Sequence, residues 1–574
     1  MFILAKVGYL RIYVCRVFKF IVLLMLFIGV VANAQDLQKL GKGKAFDKGG
    51  SIGVGMMMTA QQGIQARRVP FSWYINGSPT LKFYDITLPF SFVYSEQERN
   101  FTQPFNKYGV SPNYKWLTLH AGWRNVHYSD YTLAGATFLG GGFDINPGKF
   151  RAGAIYGKFR NKTVVNGEQT SRFSYLLPSY ERWGFGAKVG FGKGGNYTDL
   201  IFFRAKDRLD NSVMQRADSS NVRPMENVAI GLKSNYTVLK KIDINLDFAV
   251  SAVTLDSRLV DRIDGLKAIQ PYKNIIKINR STVPYLAGVA SIGYFYKFFR
   301  IRAEYRRVDP EYQTLGSYYV NNDLEQYTLS PSLTILKGKI MLNGSYGIRT
   351  NNLLGDQINT TTNRIGSAFL NINPKPNYGF TFNYSNYGTN TGNGQAILND
   401  SIIFSVVNQS YGGNFRVTKT KGDLSKNFNL NSQYQNLNDN NIVTRAFTES
   451  RSFIINAGYN VGRGKKGFNA GSGLNYSNIK TYNRVFQLLG PVINIRKNLK
   501  KIKTNISGNA SFLMKFQNTA TQGNVTNFGV NLTYTPHKKH NFNLLANATF
   551  NNTNIASIYT FREQRLSFRY NYQL

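Results

Sequence analysis

A two-residue alternation of apolar and polar side chains constrains this chain more than any other feature. It is clearest in the segment Lys240–Ala252 and recurs in segments 427–435, 504–516 and 541–551. One face of the first segment carries Ile242, Ile244, Leu246, Phe248 and Val250, and the other carries Lys241, Asp243, Asn245, Asp247 and Ala249. Period two predicts a β-strand. The apolar face is the core in a soluble sheet, but it faces lipid in a membrane barrel, whose polar face lines the lumen.

The connections between the alternating segments separate these alternatives. One class is short and basic: Asn146–Lys149, Lys193–Gly195, Leu239–Lys241, Lys337–Lys339, Pro374–Pro376, Lys419–Asp423, Arg463–Lys466, Lys497–Lys501 and Pro536–His540. The other is longer and less basic: Arg160–Trp183, Asp207–Glu226, Asp256–Val283, Val308–Glu325 and Tyr387–Asn408. Short turns on one side and long loops on the other are typical of outer-membrane barrels. The sequence therefore predicts a single closed antiparallel β-barrel, all-β, with short periplasmic turns and long extracellular loops.

The N-terminal segment 1–34 predicts export. Its basic residues precede an apolar run, Ile21–Val31, and the small residues Ala32-Asn33-Ala34. This order is typical of a secretory signal peptide, here cleaved before Gln35. The alternative is a membrane anchor, although the apolar run is shorter than the roughly 18 residues that a spanning helix needs. The single cysteine, Cys15, lies in this segment, so the cleaved chain would lack thiols and Cys-based metal sites.

The last strand of the chain is aromatic to its end. Leu566, Phe568, Tyr570, Tyr572 and Leu574 share one face. This terminus resembles the closing strand of Gram-negative outer-membrane proteins, which the barrel-assembly machinery reads, although Phe usually stands where this chain has Leu574. The Tyr- and Asn-rich chain also resembles the large barrels common in Bacteroidota. The resemblance implies an outer-membrane location, with lipid and the assembly machinery as partners and Phe568, Tyr570, Tyr572 and Leu574 as the assembly signal.

The alternation also predicts the number of strands and the domain boundaries. About 22 strands follow Trp116, and the segment Ser51–Tyr94 adds two to four, so we expect about 24 strands, with 22 to 26 open. We expect a signal peptide over 1–34, a short periplasmic segment over 35–50 and one barrel over 51–574. The segment 35–50 is too short for a plug domain like those of TonB-dependent transporters, so another element should narrow the lumen.

Two segments are candidates for that element. Glu96–Lys115 breaks the alternation and holds Pro104 and Pro112, which cannot donate to a strand ladder. It could fold inward as a constriction, or it could be an ordinary long loop. Its candidate lumen residues are Arg99, Phe101, Phe105, Lys107 and Tyr108. The second segment, Val308–Asp323, is polar and Tyr-rich, and its composition predicts a surface loop rather than a binding site.

The residues that could carry catalysis are few. Of the four His, His537 and His540 lie in a basic turn. The odd spacing of His120 and His127 places them on opposite faces of a strand, so a shared metal site or triad is not expected. Asp243 and Asp247 share a polar face beside Lys241, which favours ordinary ion pairing over acid–base chemistry. We therefore predict a non-enzyme without cofactor or metal.

The net charge of +40 is carried partly by the short turns. No nucleic-acid-binding motif accompanies it. A basic rim could serve solubility and topology, attract anionic phospholipid headgroups, guide an anionic solute, or dock an acidic periplasmic or secreted partner. The favoured function is a channel or the membrane component of a transport or secretion system. The alternative is a structural or surface-display barrel that contacts partner proteins through its extracellular loops.

Overall fold

The strands of this protein form one antiparallel sheet that closes on itself. The computed structural model describes residues 45–66, 69–95, 107–163, 178–213, 222–260, 275–356, 359–393, 405–439, 445–482, 484–554 and 560–574. The closing pair joins Ser51–Gln62 to Phe561–Gln573 along twelve aligned residues, from Ser51 opposite Gln573 to Gln62 opposite Arg562. Closure leaves no unpaired edge in hydrocarbon, where unsatisfied backbone groups are costly.

The strands follow one another around the wall in chain order. They are β1 Asp47–Gly49, β2 Ser51–Gln62, β3 Phe71–Gly77, β4 Thr80–Phe83, β5 Ile86–Ser95, β6 Lys107–Val110, β7 Asn113–Tyr114, β8 Leu117–His127, β9 Ala134–Ile145, β10 Phe150–Arg160, β11 Arg182–Lys193, β12 Asn196–Asp207, β13 Glu226–Val238, β14 Ile242–Thr254, β15 Thr282–Tyr296, β16 Phe299–Val308, β17 Leu324–Ile335, β18 Ile340–Thr350, β19 Asn359–Lys375, β20 Tyr378–Asn393, β21 Ser405–Lys421, β22 Leu424–Asp439, β23 Ser450–Arg463, β24 Phe468–Thr481, β25 Arg484–Leu499, β26 Thr504–Gln517, β27 Ala520–His537, β28 His540–Thr553 and β29 Phe561–Gln573. Among the described residues, a 3₁₀ turn, Leu336–Gly338, and a short helix, Arg445–Thr448, lie in the connections.

The barrel has 26 strands, because three pairs of segments are each the two parts of one interrupted strand: β1 with β2, β3 with β4, and β6 with β7. The predicted barrel is confirmed, and so are the strands from Trp116 onward, β8 to β29. The total lies at the upper limit of the expected range rather than at 24. Four strands precede β8 where a total of 24 would require two: β1 with β2, β3 with β4, β5, and β6 with β7. The last of these lies within Glu96–Lys115, and its two parts are too short to show a clear alternation.

The two faces of the wall can be followed from strand to strand, because directly paired residues share a face. On β14, Ile244 and Phe248 are 43% and 41% exposed and belong to an outward band of apolar side chains. Asp247, on the other face, is buried and accepts a hydrogen bond from Ser129 Oγ. The segment Lys240–Ala252 therefore forms a membrane-type strand, with its apolar face toward lipid and its polar face toward the lumen.

Every second connection lies at the same end of the barrel, because consecutive strands are antiparallel. The predicted basic turns all lie at one end, which we call the short-turn rim, and the predicted long connections lie at the other, the long-loop rim. The separation is incomplete. On the long-loop rim, β26 joins β27 through Asn518 and Thr519 alone, and β24 joins β25 through residues 482–483.

The packed interior occupies one arc of the barrel. Among the described residues, every buried apolar side chain lies between Trp123 and Leu324 in the sequence, which places the core along β8 to β17. The predicted signal peptide and its cleavage site lie outside the described residues. Within the described ranges, no helix is long and apolar enough to cross a membrane.

Candidate functional site in the barrel lumen

The connection 309–323 between β16 and β17 folds into the barrel, and we call it the inner loop. Leu315 is 4% exposed and packs in a cluster with Phe138 of β9 and Phe203 of β12. Tyr312 is 1% exposed and packs in a second cluster with residues of β14 and β15. A loop can reach this whole arc of strands only across the concave side of the wall. The inner loop therefore occupies lumen space.

Hydrogen bonds fix the inner loop to the wall. The Asn227 side chain of β13 accepts the backbone N–H of Leu315 at 3.0 Å and donates to Ser251 Oγ at 2.8 Å. Ser251 in turn donates to the Gln313 carbonyl at 2.7 Å. Asn227 and Ser251 are both fully buried. Because buried polar groups are costly when unpaired, these bonds define one position for the loop.

A second, shorter connection, residues 128–133, lies against the inner loop. Tyr312 donates its hydroxyl to the Tyr131 carbonyl, and Thr314 donates to the Thr132 carbonyl at 2.7 Å. Its exposed Asp130 bonds to His127 at 2.8 Å, and this bond holds the pKa of the Asp130 carboxyl below its usual range. The two connections form one folded unit inside the long-loop rim.

Glycine makes room for this unit at its closest approaches. A Cβ on Gly231 of β13 would lie 2.7 Å from the Thr132 side chain. A Cβ on Gly316 would lie 2.4 Å from the Thr132 carbonyl oxygen. Both distances are below ordinary van der Waals contact. Any larger residue at Gly231 of the wall or at Gly316 of the inner loop would therefore clash with the connection 128–133.

The prediction that Val308–Asp323 is a surface loop is wrong, because its Tyr312 and Leu315 are core residues. The polar composition of most of the segment favoured a solvent-exposed loop and did not reveal its few buried residues. The strands that the inner loop contacts did carry a sequence signal of its burial. Small apolar residues lie at their inward positions, where a water-filled lumen would favour polar ones. These residues are Ala136, Ala205, Ala229, Ala249 and Ala287.

A cavity of about 540 Å³ lies between the inner loop and the wall at β9 to β11. Arg160 and Arg182 line it, together with Tyr318 and Tyr319 of the inner loop. Both arginines bond to Asp207, at 2.9 Å and 2.7 Å, and Asp207 has no exposed surface. Glu311 of the inner loop also lines the cavity, so together with Asp207 it balances the formal charge of the two guanidinium groups.

The predicted constriction is only partly described. Arg99, Phe101 and Phe105 lie outside the described residues. Lys107 and Tyr108 belong to β6, which pairs with β5 and β8. This part of Glu96–Lys115 is therefore barrel wall, and Tyr108, at 66% exposed, points outward beside Phe92.

One cluster has the composition of a catalytic triad. His120 lies 2.9 Å from Asp144 and 3.1 Å from Ser111 Oγ. However, Asp144 also pairs with Lys188 at 2.8 Å. The backbone N–H of Ser111 donates to the Pro89 carbonyl, so this N–H is not free to bind an oxyanion. We interpret the cluster as a lumen ion-pair network.

The predicted separation of His120 from His127 rested on unbroken alternation. The register shifts between Asn125 and His127, so this argument fails at the end of β8. The two histidines nevertheless bond to different carboxylates, Asp144 and Asp130. Within the described ranges, no group of three or more His, Cys, Asp or Glu could hold a metal ion.

The inward face of β9 to β16 carries carboxylates that are paired with cations. The pairs are Asp144–Lys188 (2.8 Å), Asp199–Arg151 (2.7 Å), Asp243–Arg300 (3.2 Å), Asp247–Lys233 (3.7 Å) and Glu304–Arg306 (3.1 Å). Asp243 and Asp247 thus form ion pairs as predicted, but not with Lys241, whose Nζ lies 5.5 Å from the centre of the Tyr296 ring. This half of the lumen is close to electrically balanced.

The closing strand has the predicted faces. Phe568, Tyr570 and Tyr572 alternate with inward residues on β29, and Tyr570 stacks on Phe542 with ring centroids 4.6 Å apart. The Leu574 N–H bonds to Gly50 O at 3.1 Å, beside the seam between β29 and β2. The reading of these residues by an assembly machinery stays a prediction.

No family model and no curated protein matches this sequence. Solved structures do. Acinetobacter baumannii OccAB2 is 10% identical with a TM-score of 0.32, over 66% of this chain and 97% of that chain. Pseudomonas aeruginosa OccK1 (OpdK) is 12% identical with a TM-score of 0.31, over 66% and 98%. The FrpB iron transporter from Neisseria meningitidis (F5-1 variant, apoprotein) is 10% identical with a TM-score of 0.35, over 94% and 82%. At these identities and TM-scores, the likeness does not extend beyond the barrel architecture.

Proposed function

We propose that this protein is an outer-membrane channel in which the inner loop closes one half of the lumen and leaves a water-filled path along the other. The observation that supports it most directly is the unequal filling of the barrel. The buried apolar clusters that contain Leu315 and Tyr312 of the inner loop lie along the arc from β8 to β17, and no described residue of the remaining arc is a buried apolar residue. The inward side chains of the remaining arc are mainly amides, hydroxyls and cations, most of which are half-buried or exposed. Such a surface suits contact with water.

We further propose that the short-turn rim faces the periplasm. Lysines of this rim lie over outward aromatic rings, as Lys149 does over Phe191 and Lys497 over Phe468, each 5.8 Å from the ring centre. Aromatic rings capped by cations suit the level of lipid headgroups. Anionic headgroups of the inner leaflet would attract these cations by about 1 kcal/mol each. The plug-free barrel resembling those of Bacteroidota, with export through segment 1–34, belongs to the same proposal.

Single-channel recording tests the proposal. The purified full-length protein, inserted into planar bilayers, should give discrete conductance steps. Replacement of Glu311–Asn322 by a short Gly–Ser linker should raise the conductance, because the inner loop occupies lumen volume. A matched control replaces Arg445–Thr448, the short exposed helix on the same rim between β22 and β23. A folded barrel without conductance steps would exclude the channel.

A structural or display barrel is the second candidate. Described parts of the connections on the long-loop rim pack together outside the lumen. Ile276 is buried against Val228 and Ala252 on the outward face of the wall, and Tyr180 packs with Val213. A packed outer surface of this kind suits contact with partner proteins. The same bilayer recording separates the two functions, since display requires no conductance.

A further inference from the structure

We infer that the open half of the lumen, along β18 to β29, is a path for anionic solutes. This inference rests on the proposed channel function. Its basis is a segregation of charge. The acidic residues of the inward face are concentrated on β9 to β16, where they are paired, whereas the opposite arc carries cations with few acids.

The register identifies these cations as inward-facing. On β29, Arg565 and Arg569 alternate with the outward residues Leu566 and Phe568. Paired residues on the strands between lead from Arg569 to Asn498 of β25, two residues from Arg496 on the same face, so Arg496 also points inward. The inward cations of the arc are Arg349, Arg416, Arg484, Arg496, Lys515, Arg565 and Arg569.

Acids do not balance this arc. Among the described residues of β18 to β29, the inward carboxylates are Asp439 and Glu563, both beside the long-loop rim at the ends of their strands. None of the inward cations forms an ion pair with a described carboxylate. Their polar contacts are neutral: Arg496 donates to Asn505 at 3.2 Å, and Arg569 donates to the Tyr74 hydroxyl at 3.1 Å.

The surface between the cations is neutral and hydrophilic. Asn543 donates to Asn531 at 2.6 Å, and Thr549 donates to Asn527 at 2.9 Å. Amides that bond to one another keep the wall polar without adding charge. The sign of the potential is therefore set by the guanidinium and ammonium groups, and a low-dielectric wall focuses that potential into the lumen. Rings of arginine and lysine favour anions in pores.

The position of the inner loop also supports an anion path along β18 to β29. The inner loop packs against the arc whose charges are balanced, so a solute that passes the inner loop moves along the opposite arc. Arg416, Arg496, Arg565 and Arg569 are exposed there. An anion entering this half meets unpaired positive groups, whereas a cation meets repulsion without a nearby carboxylate.

The test is the reversal potential of the full-length protein in a planar bilayer under a tenfold KCl gradient. We expect a shift toward the chloride equilibrium potential. The variant Arg496→Gln, Arg565→Gln, Arg569→Gln should lower the chloride-to-potassium permeability ratio by about threefold or more. The matched control, Arg451→Gln, Arg463→Gln, Arg562→Gln, removes the same charge from exposed outward positions on β23 and β29. It should leave the ratio unchanged.

The outcomes separate this inference from the function on which it rests. A folded barrel that never conducts excludes the channel itself. A conducting barrel that prefers potassium, or whose permeability ratio is the same in the inward variant and in the outward control, overturns the anionic path alone. Correct folding of each variant is checked by its heat-modifiable band in electrophoresis, so a failure to assemble is recognised before selectivity is measured.

Discussion

The amide oxygen of Asn227 accepts the backbone N–H of Leu315 at 3.0 Å, which joins β13 to a loop that leaves the wall three strands farther along the barrel. Asn227 has no exposed surface, and its amide nitrogen also donates to Ser251 and to the Ala252 carbonyl. One side chain therefore satisfies groups of the inner loop and of the wall together. This makes Asn227 the residue on which the position of the inner loop most directly depends.

Asn227→Ala should loosen the inner loop. The buried Leu315 N–H would lose its acceptor and Ser251 Oγ would lose the hydrogen bond that Asn227 donates, at a cost of about 1–3 kcal/mol in the free energy of unfolding. We expect noisier single-channel currents with a raised mean conductance. The control is Asn235→Ala, which changes the inward face of the same strand near the short-turn rim. Identical current traces for Asn227→Ala and the unchanged protein would show that Asn227 does not hold the loop.

Asp207→Asn should destabilise the barrel more than the loss of an exposed ion pair. The carboxylate is fully buried between Arg160 and Arg182. Its neutralisation leaves two cations without a counter-charge, which costs about 3–5 kcal/mol. The thermal midpoint of the heat-modifiable transition should fall clearly. Asp210→Asn removes a more exposed pair with Lys162 and should change it little. Equal effects of both variants would contradict the assigned role of Asp207.

The wall could be predicted from the sequence because period-two alternation is a local signal. Each strand shows its two faces within about ten residues, as Lys240–Ala252 does, and the closing strand shows its outward aromatic face as clearly. The total number of strands was harder to predict from the sequence. β6 and β7 are short and adjoin Pro112, so the pattern there is too brief to identify a strand.

The filling of the lumen could not be predicted in the same way. The burial of Leu315 depends on contacts with β9, β12 and β13, and that of Tyr312 on contacts with β14 and β15, all distant in the sequence. Each of those strands supplies one or two small inward residues, such as Ala229 or Gly231, and none is decisive alone. The segregation of charge likewise becomes visible only when the register fixes the face of every charged residue.

The closing strand should be required for assembly. Phe568→Ser, Tyr570→Ser, Tyr572→Ser removes outward apolar surface next to the seam with β2 and the proposed assembly signal together. We expect loss of the folded barrel from the outer membrane. The matched control, Arg569→Ser, Asn571→Ser, Gln573→Ser, alters the inward face of the same strand and should still assemble. Normal amounts of the outward triple variant in isolated outer membranes would refute the role of this face.

The charge chemistry of the lumen predicts how selectivity depends on pH. The exposed cations of the open arc are arginines, and a guanidinium stays charged throughout the range in which a barrel remains folded. Carboxylates, which could change their charge at mildly acidic pH, are few in that arc and lie beside the long-loop rim at Asp439 and Glu563. We therefore expect the chloride-to-potassium permeability ratio to stay constant between about pH 5 and pH 9. The measurement is a series of reversal potentials in buffered KCl gradients. A ratio that rises steeply as the pH falls would mean that ionised carboxylates line the conducting path, and the path would then run along the filled half, beside Asp243 and Asp247.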